Sequence, residues 1–195
     1  WTRDHLSKAQ EMIDGGGEKG IDPPSEEEDE ENWPTPFDNK NSVKEEIETG
    51  GKGGMTRQEQ EEQTRQADNY KDKGNEYMSN KDYDQALQQY NLAIELSPSG
   101  PHSHVYYSNR AAAYCYLANY LEATADCETS IKLMPTYEKA HARLGLSFFF
   151  RGQYDDAIAA YNRSLELDPN NKASMSYLKK AKARLAEQKK KEEEE

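Results

Sequence analysis

The chain has 195 residues, 37 of them Asp or Glu and 25 Lys or Arg, for a formal charge of −12 at pH 7. That balance, without a broad basic stripe, argues against nucleic acid as a partner. No stretch approaches the roughly 18 apolar residues of a membrane-spanning helix, so a soluble protein with no membrane span is expected.

In chain order, the first 66 residues stand apart. Residues 1–66 hold 18 acidic and 8 basic residues, whereas residues 67–195 hold 19 and 17. This first part has few large apolar residues and carries Gly15-Gly16-Gly17, Pro23-Pro24, the acidic run Glu26–Glu31 and Gly50-Gly51-Lys52-Gly53-Gly54. It cannot bury enough surface to offset chain entropy, so a mostly disordered segment is expected. Two islands interrupt it: Trp1–Ile13 fits the end of a helix, and Asn32-Trp33-Pro34-Thr35-Pro36-Phe37 is apolar in acidic surroundings. Each reads either as a docking motif for a further protein partner, as a loop that happens to hold aromatics, or as one that packs on the chain's own domain. A start at Trp1 rather than methionine suggests a fragment or a processed product.

From residue 67 onward a pattern recurs. Gly74, Tyr77, Ala86, Tyr90, Ala93 and Pro98 return as Ala111, Tyr114, Ala123, Cys127, Ser130 and Pro135, and again as Gly145, Phe148, Ala157, Tyr161, Ser164 and Pro169. The second and third copies are 34 apart and the first and second 37 apart, because the loop Ser97–His102 carries three extra residues. Each copy reads as a helix, a polar break (Asn80–Asp82, Ala118–Tyr120, Arg151–Gln153) and a second helix that stops at the proline, which is an αα-hairpin. Gly74, Ala111 and Gly145 are expected to face Ala86, Ala123 and Ala157, with the aromatic or cysteine behind them. The copies span 67–100, 104–137 and 138–171. A capping helix is expected over 172–191, with Ala173, Met175, Tyr177, Leu178, Ala181 and Leu185 as a partial apolar stripe and Lys179, Lys180, Lys182 and Arg184 outside. Residues 192–195 form an acidic end. Cys115 and Cys127 fall inside the second copy as small packing residues, which suits a reducing compartment.

This period, with its small, aromatic and proline positions, resembles the tetratricopeptide repeat over residues 67 to about 171. The resemblance implies an all-α, right-handed superhelical stack of three repeats plus the cap, with the first helix of each repeat lining a concave groove. On those helices Lys71 and Asn75 are four apart and share a face, as do Lys139 and Arg143, with Asn109 between them. Lys71-Asp72-Lys73-Gly74-Asn75, Asn109-Arg110-Ala111-Ala112 and Lys139 with Arg143 match the two-carboxylate clamp of co-chaperone tetratricopeptide domains. The resemblance implies that these five residues bind the C-terminal Glu-Glu-Val-Asp tail of seventy- or ninety-kilodalton heat-shock chaperones. Met78, Ala112, Tyr116, Ala142 and Phe149 follow at helical spacing, as core residues or as apolar contacts to the peptide, with Tyr116 the one most suited to meet the ligand. Ser108–Tyr114 and Ala140–Leu146 are most similar to the small glutamine-rich tetratricopeptide co-chaperones. The glutamine-rich tail and N-terminal dimerisation domain of that group are not visible.

Other classes of function find less support in the residues. No phosphate loop, metal quartet or nucleophile motif is present, so neither an enzyme nor a cofactor is expected. His102 and His104 read as ordinary residues of the inserted loop. A scaffold that grips an internal segment of another protein remains as an alternative, as does the targeting module of a larger enzyme. The acidic runs Glu26–Glu31 and Glu192–Glu195 are candidates for weak self-masking of the positive pocket. A cytoplasmic location follows from the cysteines and the resemblance.

Overall fold

The computed structural model describes residues 55–194. The islands Trp1–Ile13 and Trp33–Phe37 and the run Glu26–Glu31 lie outside the described residues. Within them the chain forms α1 (Arg57–Ser79), α2 (Tyr83–Leu96), α3 (Ser103–Tyr116), α4 (Tyr120–Leu133), α5 (Glu138–Phe150), α6 (Tyr154–Leu167) and α7 (Lys172–Glu194), with no strand among the described residues.

α1, α3 and α5 each form a hairpin with the helix that follows, and each second helix packs on the first helix of the next hairpin. The first helices also touch one another in sequence (α1 with α3, α3 with α5, α5 with α7), whereas α2, α4 and α6 do not. A stack that is tighter along one row of helices than along the other must curve, and the tighter row is its inner wall. α1, α3 and α5 therefore line the concave side.

What lets the hairpins close is visible at the glycines. A Cβ on Gly74 would lie 2.5 Å from the Tyr90 ring, and one on Gly145 would lie 2.8 Å from the Tyr161 ring. The nearest group opposite each glycine is thus the tyrosine ring, rather than the alanine of the second helix that the sequence pattern suggested. In the second hairpin Ala111 and Cys127 share one buried cluster. A methyl is accommodated there because the ring has become a thiol.

The turns repeat as closely as the helices. Lys81, Ala118 and Gly152 are equivalent in the register and all have positive φ, 59°, 56° and 74°. Each closes a Schellman motif: Asp82 N–H donates to Tyr77 O at 2.9 Å, Asn119 N–H to Tyr114 O at 2.9 Å and Gln153 N–H to Phe148 O at 3.0 Å. The second break therefore centres on Ala118, one residue earlier than expected, and Tyr120 opens α4. Only the third hairpin uses glycine, the residue that adopts this conformation without a Cβ penalty. Ala118→Gly should raise unfolding stability by about 0.5–1 kcal/mol, read as a higher urea midpoint at unchanged slope.

Two ends differ from the sequence expectation. α1 begins at Arg57, because Thr56 and Glu59 form a capping box in which Glu59 N–H donates to the Thr56 hydroxyl and Thr56 N–H donates to Glu59 Oε2. The motif Thr56-Arg57-Gln58-Glu59 was readable, yet it lies in a stretch whose polarity masked it. α7 packs on α6 and α5 through buried Ala173, Tyr177 and Ala181, and Leu178 packs against the same cluster. Met175 falls outside that stripe and is 45% exposed. Its place is taken by Ser174, buried with its hydroxyl 2.9 Å from that of Ser164.

Candidate functional site

The spacings of 37 and 34 place four positions of each first helix in register on the same face. They are Asp68, Lys71, Asp72 and Asn75 on α1; Val105, Ser108, Asn109 and Ala112 on α3; and Lys139, Ala142, Arg143 and Leu146 on α5. All five expected polar site residues belong to this set. The wall changes sign along the stack: its two carboxylates are on α1, and α5 presents two cations.

Three of the five are joined directly. Asn75 Oδ1 accepts from the Asn109 amide at 3.1 Å and from the Tyr90 hydroxyl at 2.8 Å. Asn109 Oδ1 in turn accepts from Arg143 Nη1 at 3.4 Å, and the same nitrogen donates to the Ser108 hydroxyl. One chain of donors and acceptors thus runs from α5 through α3 to α1, with Asn109 and Arg143 fully buried. Such a network fixes the amide orientations, because an amide oxygen used twice as an acceptor leaves the Asn75 NH2 as its donor side. Tyr90 and Ser108 were not among the sequence candidates. Ser108 had a signal, since it occupies in α3 the position that Lys71 occupies in α1.

The two lysines stand at opposite ends of this chain. Lys71 Nζ lies 3.0 Å from Asp72 Oδ1 and 3.8 Å from Asp68 Oδ1, with its side chain 12% exposed. Lys139 is half-buried on α5, one turn from Arg143. With Arg143 they supply three cationic groups, and the asparagines supply neutral donors. Charge-assisted donors beside neutral amides suit carboxylates, and a planar guanidinium adds forked contacts.

Met78, Ala112, Ala142 and Phe149 are, like Asn109 and Arg143, buried, between 0% and 5% exposed, with Met78 and Ala112 in one apolar cluster and Phe149 in another. Tyr116 is half-buried and stacks on Tyr83, with ring centroids 4.6 Å apart and planes at 8°. Its ring bridges two hairpins.

The cysteines and histidines also find their places. Cys115 and Cys127 are free and buried. Burial pushes the Cys115 thiol up to about 12 and Cys127 well above its ordinary value, so both stay protonated packing residues at neutral pH. His104 lies on α3 rather than in the loop, buried and edge-on to the Tyr137 ring at 4.9 Å. His102 does belong to the inserted loop, with Nδ1 2.8 Å from Asp68 Oδ2.

Comparison with known proteins agrees with this geometry. The family model "Tetratricopeptide repeat" matches residues 67–99 and 138–171. Those are the first and third hairpins, the two that keep the Gly–Tyr pair. The chain is 38% identical over 126 residues to small glutamine-rich tetratricopeptide repeat-containing protein 2 of Mycosarcoma maydis, covering 65% of this chain and 35% of that protein. It spans 35% or less of the curated relatives that head the comparison. Among solved structures, the first tetratricopeptide domain of Spaghetti (RPAP3), bound to the HSP90 peptide SRMEEVD, superposes with a TM-score of 0.60 at 33% identity, covering 63% of this chain and 95% of that one. The second such domain of human RPAP3, in complex with the HSP70 peptide SGPTIEEVD, gives 0.56 at 31% identity, covering 63% and 98%. Three hairpins of one register, closed by the same turn and matched in sequence and shape over nearly the whole length of these domains, place the chain in the tetratricopeptide repeat family.

Proposed function

We propose that the chain is a co-chaperone-type adaptor whose α1–α3–α5 wall holds the C-terminal Glu-Glu-Val-Asp tail of a seventy- or ninety-kilodalton heat-shock chaperone. The observation that carries this reading is the Asn75–Asn109–Arg143 hydrogen-bond chain across three repeats, flanked by Lys71 and Lys139. A C-terminal aspartate carries two carboxylates on one residue, so it needs several donors converging from different helices. The two similar peptide-bound domains both hold peptides that end in EEVD, which supports the same ligand class here. Lys71, Lys139 and Arg143 act as charge-assisted donors, and Asn75 and Asn109 orient the chain end. No step of this role is catalytic, and free buried thiols fit work in a reducing compartment such as the cytoplasm.

Hydrogen bonds to charged groups contribute about 1.5–3 kcal/mol each, while ordering the peptide and desolvating both partners offset much of the sum. Low-micromolar affinity, about −8 kcal/mol, is the expected result. The test is titration of the full chain with a fluorescent peptide ending in Ile-Glu-Glu-Val-Asp and with its C-terminally amidated copy. The free-ended peptide should bind at least about tenfold more tightly, with the difference shrinking as salt rises. Equal affinity for both would sink the clamp and leave a groove that grips internal segments.

A further inference from the structure

The inserted loop and the carboxylates of α1 are not used by the clamp, yet the structure brings them onto one of its lysines. Asp68 occupies on α1 the register position that Lys139 holds on α5, so a carboxylate stands where the third repeat has a cation. Asp68 Oδ2 accepts from His102 at 2.8 Å and Oδ1 accepts from the Tyr106 hydroxyl at 2.9 Å, with Lys71 Nζ 3.8 Å away. Burial works against the Asp68 charge, but the His102 and Tyr106 hydrogen bonds and the nearby Lys71 outweigh it and hold the carboxyl below the ordinary range. At neutral pH a full negative charge is therefore fixed beside the ammonium that the ligand must reach. The charged and titratable groups facing it are Lys71 and Asp72 from α1, His102 from the loop and Tyr106 from α3.

Resting on the clamp reading above, we propose that Asp68 is a built-in competitor for Lys71 that sets how strongly the groove takes a peptide carboxylate, and that His102 relieves it on protonation. With a neutral imidazole, Asp68 keeps its whole charge on Lys71 and repels an incoming anion. An imidazolium at 2.8 Å offsets that charge and leaves Asp72, 3.0 Å from the ammonium, as the carboxylate with which the ligand competes for Lys71. Imidazoles change charge between about pH 5 and 8, where peptide carboxylates with pKa values near 4 stay ionised. Protonation of His102 should therefore tighten binding although the ligand is an anion with unchanged charge. The three-residue insertion gives this loop its reach, since it ends at His102 and is held by the Ser103 hydroxyl donating to Ser97 O at 2.5 Å.

The experiment is titration of the full chain, as wild type, Asp68→Asn and His102→Gln, with the free-ended Ile-Glu-Glu-Val-Asp peptide at low salt, at pH 7.5 and pH 6.0. Asparagine keeps an acceptor for Tyr106 and removes the charge. With a unit negative charge removed from beside the Lys71 ammonium, Asp68→Asn should bind about fivefold more tightly at pH 7.5. The wild type should gain about threefold on going to pH 6.0, and His102→Gln should lose that gain. Affinity of Asp68→Asn equal to or below the wild type's, with an unchanged thermal melt, overturns the inference while leaving the clamp intact. Persistence of the acid gain in His102→Gln overturns it as well, a readout that holds even if the Asp68 variant folds poorly. No binding by the wild type overturns the clamp reading, and this inference with it.

Discussion

Arg143→Ala should lower the affinity for the free-ended peptide by about 30- to 100-fold and also lower unfolding stability by about 2 kcal/mol, whereas Lys139→Ala should lower affinity by about tenfold at nearly unchanged stability. The two residues sit one turn apart on α5 and carry the same charge, so charge alone would make them equivalent. Their surroundings differ. Arg143 has no exposed surface, and its Nη1 donates to Ser108 and Asn109 on α3. Removing it leaves an internal void, takes a donor from two buried side chains and releases Asn109, which in turn positions Asn75. On the proposed clamp reading, loss of the cation and loss of the organisation behind Asn109 and Asn75 should therefore coincide. Lys139 is half-buried, and alanine is the better helix former, so only the ligand contact is lost. Arg143→Lys separates the two effects: it keeps a charge but cannot fork to Ser108 and Asn109, so it should recover less than half of the lost binding free energy. Fluorescence anisotropy and urea melts on the same samples check both quantities. Equal stability losses for Arg143→Ala and Lys139→Ala would contradict the relay.

The hairpin repeat was legible because its determinants are local volumes at fixed spacing. A missing Cβ at Gly74 or Gly145 admits a ring at Tyr90 or Tyr161, and proline two residues past each second helix ends it. The second hairpin shows the limit of residue matching: Ala111 with Cys127 offsets a larger residue with a smaller one, and the family model does not match there. The five polar residues proposed as the clamp were picked out by the resemblance and by same-face spacing. What spacing could not supply was the partner of each polar atom. Tyr90 reads as a ring that fills a gap, yet its hydroxyl also fixes Asn75. Tyr116 shares the helical spacing of a groove residue, but the stacking surface of Tyr83 on another helix draws it into the interface. Such choices depend on which neighbouring repeat offers a surface, and that is decided only when the stack forms.

Asp126→Ala should cost about 3 kcal/mol of unfolding stability, more than a surface ion pair warrants, because of where its partner sits. The Arg110 guanidinium on α3 donates through Nε and Nη2 to the two Asp126 oxygens on α4, at 2.7 Å each, and through Nη1 to Asn91 Oδ1 on α2 at 2.7 Å. It also lies over the Tyr107 and Tyr114 rings, 5.6 and 5.8 Å from their centroids. One side chain thus ties the second hairpin internally and joins it to the first. With Asp126 only 7% and Arg110 19% exposed, deleting the carboxylate strands a cation that water reaches poorly. In a stack whose stability is a sum of repeat and neighbour-interface contributions, weakening both kinds at one place should also broaden the unfolding transition. Replacing the pair by apolar residues, Arg110→Leu with Asp126→Leu, removes the stranded charge and should recover most of the loss. If the double variant is no more stable than Asp126→Ala, the unmatched charge is not the source of the cost. Peptide affinity below the melting range should stay within about twofold of the wild type in Asp126→Ala, since neither partner lies on the face that carries Lys71, Asn75, Asn109, Lys139 and Arg143.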